Sequence, residues 1–216
     1  MLHQLSKENS ILNQFLTEMR DEKIQLDPMR FRKNLERTGQ IMAYEISKQL
    51  EYETKNVDTP LGTASPEVPA DELVLATVLR AGLPLHQGML SILDRADNAF
   101  ISAYRKHHKD GSFEVHVDYV SCPSVEGKVL IICDPMIATG SSLKLAADAL
   151  LEFGQPKQLH FVCAIAAAEG IDYLKRYFPE ADMWTIDLDE ELTAKSYIVP
   201  GLGDAGDLAF GEKLQE

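Results

Sequence analysis

The sequence predicts an α/β fold with a mostly parallel central sheet flanked by helices, and two features carry that prediction. Compact apolar runs rich in Val, Ile and Leu occupy 73–79, 128–133, 158–165 and 182–186, as expected of strands buried on both faces. Helical patterns of about ten residues separate the later runs, and parallel strands need such crossovers, which wind right-handed. An apolar fraction of 45% and a charged fraction of 25% give a chain of 216 residues both a core and a solvated surface.

Taken in order, 11–19 and 27–53 read as helices. In the second, Phe31, Leu35, Ile41, Met42, Ile46 and Leu50 recur at helical spacing. Asp27-Pro28 is its start signal, a capping acid before a proline at the first helical position. The stretch 56–70 holds three prolines and a glycine and reads as an exposed connection or edge segment. A central strand at 73–79 ends on Arg80-Ala81-Gly82, and a helix fits 83–93. A short strand at 100–104 runs into the polar segment 105–118. There a turn at Asp110-Gly111 and alternation at Phe113, Val115 and Val117 predict a hairpin with a mobile tip. The next strand ends at Cys133, and a helix over 142–153 is stopped by Gly154 and Pro156. A strand at 158–165, a helix over 168–178 and a strand at 182–186 complete the alternation.

The segment 197–211 carries Gly201, Gly203, Gly206 and Gly211, which are expected to forbid a regular helix or a good strand and to let the backbone approach a ligand closely. Tyr197, Ile198, Val199 and Phe210 are too apolar for a disordered tail, so an ordered, packed loop is expected. The organisation that follows is one domain over 1–216, with N-terminal helices to residue 55, a hairpin lid over 105–120 and a C-terminal hood over 188–216.

Composition excludes several function classes. The net charge of −13 argues against a nucleic-acid surface, which needs clustered Lys and Arg, but not against a small anionic ligand. No apolar run approaches the ~20 residues that span a bilayer. The N-terminal residues lack the apolar stretch of a secretory signal, and a cytoplasmic location is expected. Cys122, Cys133 and Cys163 form no CxxC pair and read as reduced thiols.

The stretch VLIICDPMIATGSSL (129–143) is a buried strand that ends on a carboxylate, followed by a tight loop that opens a helix. Such a loop aims backbone N–H groups and the hydroxyls of Thr139, Ser141 and Ser142 into one concavity, which suits a phosphate. Arg80 closes an apolar strand at the carboxyl edge of the expected sheet, where ligands of open α/β folds gather. A guidinium fork there matches diphosphate oxygens, and Arg105 precedes a lid able to close over the same ligand. The pair His107-His108 reads as part of a solvated loop, and no Ser-His-Asp or Cys-His set is evident.

The loop DPMIATGSS resembles the phosphoribosyl-diphosphate (PRPP) loop of the type I phosphoribosyltransferases. Together with VLRAG (78–82), VDTPLG (57–62), MAYEIS (42–47) and YIVPGLGDAGD (197–207), it resembles the uracil phosphoribosyltransferase family from about residue 28 to 211. The resemblance implies the type I fold and the reaction of uracil with PRPP to give UMP and diphosphate. It implies that PRPP is held by Arg80, Arg105 and the run Asp134, Pro135, Met136, Ile137, Ala138, Thr139, Gly140, Ser141 and Ser142, with Asp204 close by. Asp134, Arg105 and Asp204 are the expected catalytic positions. Uracil is expected on Ile198 and the backbone of Gly203, Asp204 and Ala205, because a run of N–H and C=O groups matches its O2, N3–H and O4 edge.

The resemblance further implies Mg2+ carried by PRPP without a dedicated protein cage, a homodimer or larger assembly, and a possible GTP effector. Four positions depart from the family pattern: Ser141 replaces a second loop glycine, Leu208 an arginine, Ser121 a lysine, and Glu212 the threonine after Phe210-Gly211. The rival reading is a non-catalytic regulator of the same fold that senses PRPP or nucleotides. The excess of 34 acids over 21 bases disfavours one that acts on RNA.

Overall fold

The computed structural model describes residues 1–107 and 113–213, and side chains outside 103–117. Its strands are β1 (Leu2–Gln4), β2 (Tyr52–Thr54), β3 (Val57–Thr59), β4 (Gly62–Ala64), β5 (Glu67–Pro69), β6 (Leu73–Leu79) and β7 (Asp97–His107). They continue with β8 (Phe113–Ser121), β9 (Val129–Cys133), β10 (Met136–Ile137), β11 (Gln158–Ala167), β12 (Asp182–Asp189), β13 (Glu191–Leu192) and β14 (Ile198–Val199). The helices are α1 (Ile11–Arg20), α2 (Pro28–Ser47), α3 (Leu83–Leu90), α4 (Ser141–Leu151), α5 (Ala168–Tyr177) and α6 (Ala205–Phe210).

The central sheet runs β1-β12-β11-β9-β6-β7-β8, with β10 also paired to β11. Every ladder is parallel except β7·β8. The predicted mostly parallel sheet is therefore present, and the apolar runs have their cause in its two covered faces. Leu75, Ile131 and Val162 point into one core with α1, α2 and α3, while Val74, Leu130, Phe161 and their neighbours point into a second with α4 and α5. Alternate side chains of one strand thus serve different cores, and the buried polar residues are few, Thr77, His160 and Thr185 among them.

Helix α2 starts where its cap signal lies: Asp27 Oδ1 accepts hydrogen bonds from the N–H groups of Met29 (3.0 Å) and Arg30 (3.2 Å). It ends at Ser47, short of the expected residue 53, because Tyr52–Thr54 pair with Glu67–Pro69 instead. The stretch 56–70 is exposed as expected but ordered. Two nested antiparallel ladders, β2·β5 and β3·β4, make it an arm. Helix α2 lies directly on α3, with their backbones in near contact: a Cβ on Gly88 would sit 1.9 Å from the carbonyl oxygen of Glu36.

Other boundaries also shift. Strand β7 is longer than the expected 100–104, β12 extends past 186, and α3 stops at Leu90 rather than 93. The hairpin is the antiparallel pair β7·β8, while the turn at Asp110-Gly111 and His108 lie outside the described residues. Strand β1 was not expected. It adds to the edge of the sheet by pairing Leu2 with Met183. The glycine-rich C-terminal segment contains the helix α6, which corrects the expectation that its glycines forbid one. Among the described residues no helix is long and apolar enough to cross a membrane. Cys133 and Cys163 are buried free thiols, and burial pushes Cys163 up to about 12, so both stay protonated.

Beneath the β1 edge, His160 is buried between β11 and β12. The Trp184 indole N–H donates to His160 Nδ1 (3.1 Å), and His3 stacks on the other side of that indole at 3.9 Å. His160 Nε2 has no hydrogen-bond partner among the described residues. Burial drives the imidazole pKa down to about 4, against the opposing pull of the Asp182 carboxylate. The folded chain therefore keeps His160 neutral while the unfolded chain, with a pKa near 6.5, takes up a proton. The contribution to stability is complete above pH 6.5 and is lost as the pH falls toward 4. Urea unfolding across that window should show a decline on the order of 3 kcal/mol that His160→Gln removes. Equal pH slopes for the two proteins would contradict it.

Candidate active site

The order of the sheet places the site. From β6 the chain moves outward to β7 and β8, then returns to β9 on the other side of β6 and continues to β11 and β12. Connections leaving β6 and β9 therefore diverge, and a crevice opens at their carboxyl ends. Thr77 lies opposite Cys133 in that ladder, so Arg80-Ala81-Gly82 and Asp134 emerge side by side. Their closeness depends on Gly82. A Cβ there would meet Thr77 Oγ1 at 2.3 Å and the carbonyl oxygen of Cys133 at 2.8 Å.

On the β9 side, Asp134 Oδ1 accepts a long hydrogen bond from the N–H of Met136 (3.4 Å). Pro135 O accepts from Ala164 N–H (2.9 Å), and Met136 and Ile137 form β10 beside β11, so the first half of the loop is sheet-bound. Ala138 packs on α5, where a Cβ on Gly170 would stand 2.2 Å from its carbonyl oxygen. Gly140 has φ +80° and precedes α4, a conformation that L side chains rarely adopt. Ser141 is the first helical residue and needs no positive φ, which explains why a serine fits where the family pattern has a glycine. Thr139 Oγ1 and Ser141 Oγ are hydrogen-bonded at 2.8 Å, and Ser142 follows in the first turn of α4. N–H groups at the start of α4 and hydroxyls from 139–142 thus share one end of the helix, as an anion requires.

The C-terminal segment packs against the loop after β6. β14 pairs with β13, and Ile198 is buried against the core under α1 and α2. Gly201 and Gly203 have φ +62° and +90°, and they turn the chain back toward the sheet. Asp204 caps α6: its Oδ1 accepts from the N–H groups of Gly206 (2.8 Å) and Asp207 (3.1 Å). Ala205 is the first residue of the helix and is fully buried. A Cβ on Gly206 would lie 3.8 Å from Ala81 Cβ, so the hood rests on the β6 loop.

The Arg80 guanidinium reaches across to it, donating to Asp207 Oδ1 (3.2 Å) and the Gly211 carbonyl (3.1 Å). Its Nε is buried without a partner among the described residues. Arg105 belongs to β7, and its side chain lies outside the described residues. Leu208 packs against the α1–α3 core, and a cation arrives from elsewhere. Arg32 of α2 donates to the carbonyl oxygen of Ala209 (2.6 Å) and lies 6.0 Å from the Phe210 ring. Neither Arg32 nor Arg20, which also reaches the hood, was singled out in the sequence. Both sit among ordinary helical charges there, and only the fold brings them to residues 201–209.

Comparison with known proteins agrees with this arrangement. The family model described as uracil phosphoribosyltransferase matches residues 6–212. This chain belongs to the uracil phosphoribosyltransferase family. A uracil phosphoribosyltransferase of Porphyromonas gingivalis is 52% identical over 211 residues, spanning 97% of this chain and 98% of the relative. One from Thermococcus gammatolerans is 39% identical over 212 residues, spanning 97% and 93%. The solved structure of a protein from Aquifex aeolicus superposes with a TM-score of 0.88 at 31% identity, covering 100% of both chains. A hypoxanthine phosphoribosyltransferase structure from Staphylococcus aureus, at 14% identity, has a TM-score of 0.50 over 74% of this chain and 76% of its own. It bears on the fold alone. Membership in the family extends the motif resemblance beyond residue 28 into the N-terminal segment.

The contact of Gly82 with the end of β9 is testable. Gly82→Ala should lower unfolding stability by about 1–3 kcal/mol in urea titration, the usual cost of overpacking against backbone. An unchanged midpoint would show that the two loops are not held in contact there.

Proposed function

We propose that this chain transfers the phosphoribosyl group of PRPP to uracil, giving UMP and diphosphate in pyrimidine salvage. The observation that carries the reading is that, in a chain of this family, the loop after β6 touches both the end of β9, which leads into 134–142, and the hood at Gly206. In this reading the start of α4 and the hydroxyls of Thr139, Ser141 and Ser142 take the 5-phosphate, with Ile137, Ala138 and Gly140 shaping the cradle. Asp134 accepts hydrogen bonds from the ribose hydroxyls, with Pro135 and Met136 fixing its direction. Arg80 and Arg105 face the diphosphate. Ile198 and the backbone of Gly203, Asp204 and Ala205 read the uracil, and the Asp204 carboxylate stands near PRPP.

At the anomeric carbon the bond to diphosphate breaks and its electron pair leaves with the diphosphate. A uracil ring nitrogen forms the new bond through a transition state with oxocarbenium character, and its proton is released to the departing diphosphate or to water. No protein nucleophile takes part, so the chain accelerates the reaction by holding both partners in line and stabilising the developing charges. The carboxylates of Asp134 and Asp204 are hard oxygen donors suited to Mg2+, and among the described residues no cluster of three His, Cys, Asp or Glu side chains would cage a metal. Mg2+ bound with PRPP would supply charge neutralisation for the diphosphate.

The same reading includes a homodimer or larger assembly, supported by the arm over 52–69, which turns Tyr52, Val57 and Leu61 to the outside. GTP, the expected effector, is tested by adding it to the same assay.

Incubation with PRPP, Mg2+ and each nucleobase should yield nucleoside monophosphate from uracil alone. Absence of product with every base would favour the nucleotide-sensing regulator. Asp134→Asn should lower kcat by about 10²-fold with the unfolding midpoint unchanged, since one charged contact to the reacting sugar is lost. Undiminished turnover would remove Asp134 from the assigned role.

A further inference from the structure

The hood hangs from an N-terminal helix that does not belong to the crevice. Arg20 is the last residue of α1, and its guanidinium forks onto Asp189 at the end of β12. Nη1 donates to Oδ2 (2.8 Å) and Nη2 to Oδ1 (2.7 Å), with Asp189 only 5% exposed. A two-point ion pair this buried fixes both planes relative to each other. The same pair also holds one residue of the hood. Arg20 Nη1 also donates to the carbonyl oxygen of Gly201 (2.9 Å), and Asp189 Oδ2 accepts from the N–H of Gly201 (3.1 Å).

Both polar groups of the Gly201 backbone are therefore held by the same ion pair. Gly201 has φ +62°, and a Cβ there would stand 2.1 Å from the carbonyl oxygen of Ile198, so residues 198–201 form a closed turn. The next residue is held from the same segment. The side-chain amide of Gln25 lies 2.7 Å from the carbonyl oxygen of Leu202 and 2.9 Å from that of Met19, two acceptors that are satisfied when the amide nitrogen is assigned to this side. Asp187 Oδ2 accepts a further bond from Arg20 Nη2 (3.2 Å), and Ser6 and Gln4 donate to its Oδ1.

We infer that Arg20, acting through its forked pair with Asp189, is a positioning residue for the uracil-reading backbone of residues 198–205. The inference rests on the proposed reading of the hood as the uracil site. Gly201 lies between the two proposed uracil-reading parts of the segment, Ile198 and the residues from Gly203 onward. A backbone reader discriminates only if its N–H and C=O groups are fixed before the base arrives, and glycines cannot fix themselves. The ion pair supplies that rigidity from outside the loop. A pair serving only to join α1 to β12 would have no need to contact Gly201 at all.

The test uses the full chain with Arg20→Lys and Arg20→Gln. Lysine keeps the charge opposite Asp189 but loses the fork, so it protects against outright unfolding. KM for uracil should rise about 3-fold or more in the lysine variant and about 10-fold or more in the glutamine variant, while KM for PRPP stays within about 2-fold. His3→Gln is the control. His3 Nε2 pairs with Asp182 (2.8 Å) and also ties the N-terminal segment to β12, without contact to the hood, so both KM values should hold. Hydrogen–deuterium exchange supplies a readout independent of activity: amides of 198–205 should exchange faster in Arg20→Lys, while those of β9 and β11 do not change.

An unchanged KM for uracil in folded variants, a parallel rise in both KM values, or the same effect from His3→Gln would overturn the inference. Unaltered exchange in 198–205 would do so as well. If the unsubstituted protein makes no UMP, the functional reading falls, and the exchange data still decide whether Arg20 positions the loop.

Discussion

The pairing of β6 with β9 is the constraint on which the rest of the structure depends. Both strands are buried on both faces, their side chains divided between two cores, and the one polar side chain along them, Thr77, is turned onto the carbonyl oxygen of Cys133. Polar chemistry is possible only where they end. Because their outgoing connections diverge, those ends form the one edge of the sheet where two loops can face each other across a gap. Gly82 then brings one loop against the terminal carbonyl of β9, and Gly140 lets the other enter α4 with its N–H groups turned toward the same gap. Glycine is required at both places for physical reasons that differ: contact distance at the first, positive φ at the second.

The hood answers a different problem. A segment with glycines at 201, 203, 206 and 211 loses much conformational freedom on ordering and has few side chains with which to pack. Its order is imposed by arginines from three other elements. Arg20 holds Gly201, Arg32 holds the carbonyl of Ala209, and Arg80 holds Asp207 and the carbonyl of Gly211. Ile198, Leu202, Ala205 and Ala209 add apolar anchors beneath it. Leu208 joins this apolar layer, so the arginine that the family pattern places there is replaced by packing, with Arg32 supplying a cation to the neighbouring carbonyl. In a chain of net charge −13 these arginines are not a diffuse basic surface. They are individual donors turned onto backbone oxygens, and the overall acidity is compatible with an anion site because fields at a few ångströms outweigh distant charge.

The strands of the sheet and the loop after β9 were legible in the sequence because their causes are local. Continuous Val, Ile and Leu runs mark strands with two covered faces, and a carboxylate followed by small hydroxyl residues marks a strand-to-helix phosphate loop whatever surrounds it. Elements made by distant pairing were not legible. Strand β1 has three residues and exists because Leu2 finds Met183, and α2 ends early because Tyr52–Thr54 find Glu67–Pro69. Helix α6 escaped notice because glycine content outweighed the cap at Asp204, whose carboxylate satisfies two N–H groups at the helix start.

The sequence by itself determined the class of fold and the loop that leads from β9 into α4, since both depend on residue types at short spacing, and the motif at 197–207 marked the family. Only the tertiary structure decided how that segment is held. Arg20 and Gly201 are 181 residues apart, and nothing in the helical charge pattern around Arg20 marks it from its neighbours. Its role arises from a buried carboxylate at the end of β12 that must be neutralised. The arginine that meets it can reach the hood only because α1 packs across that strand end.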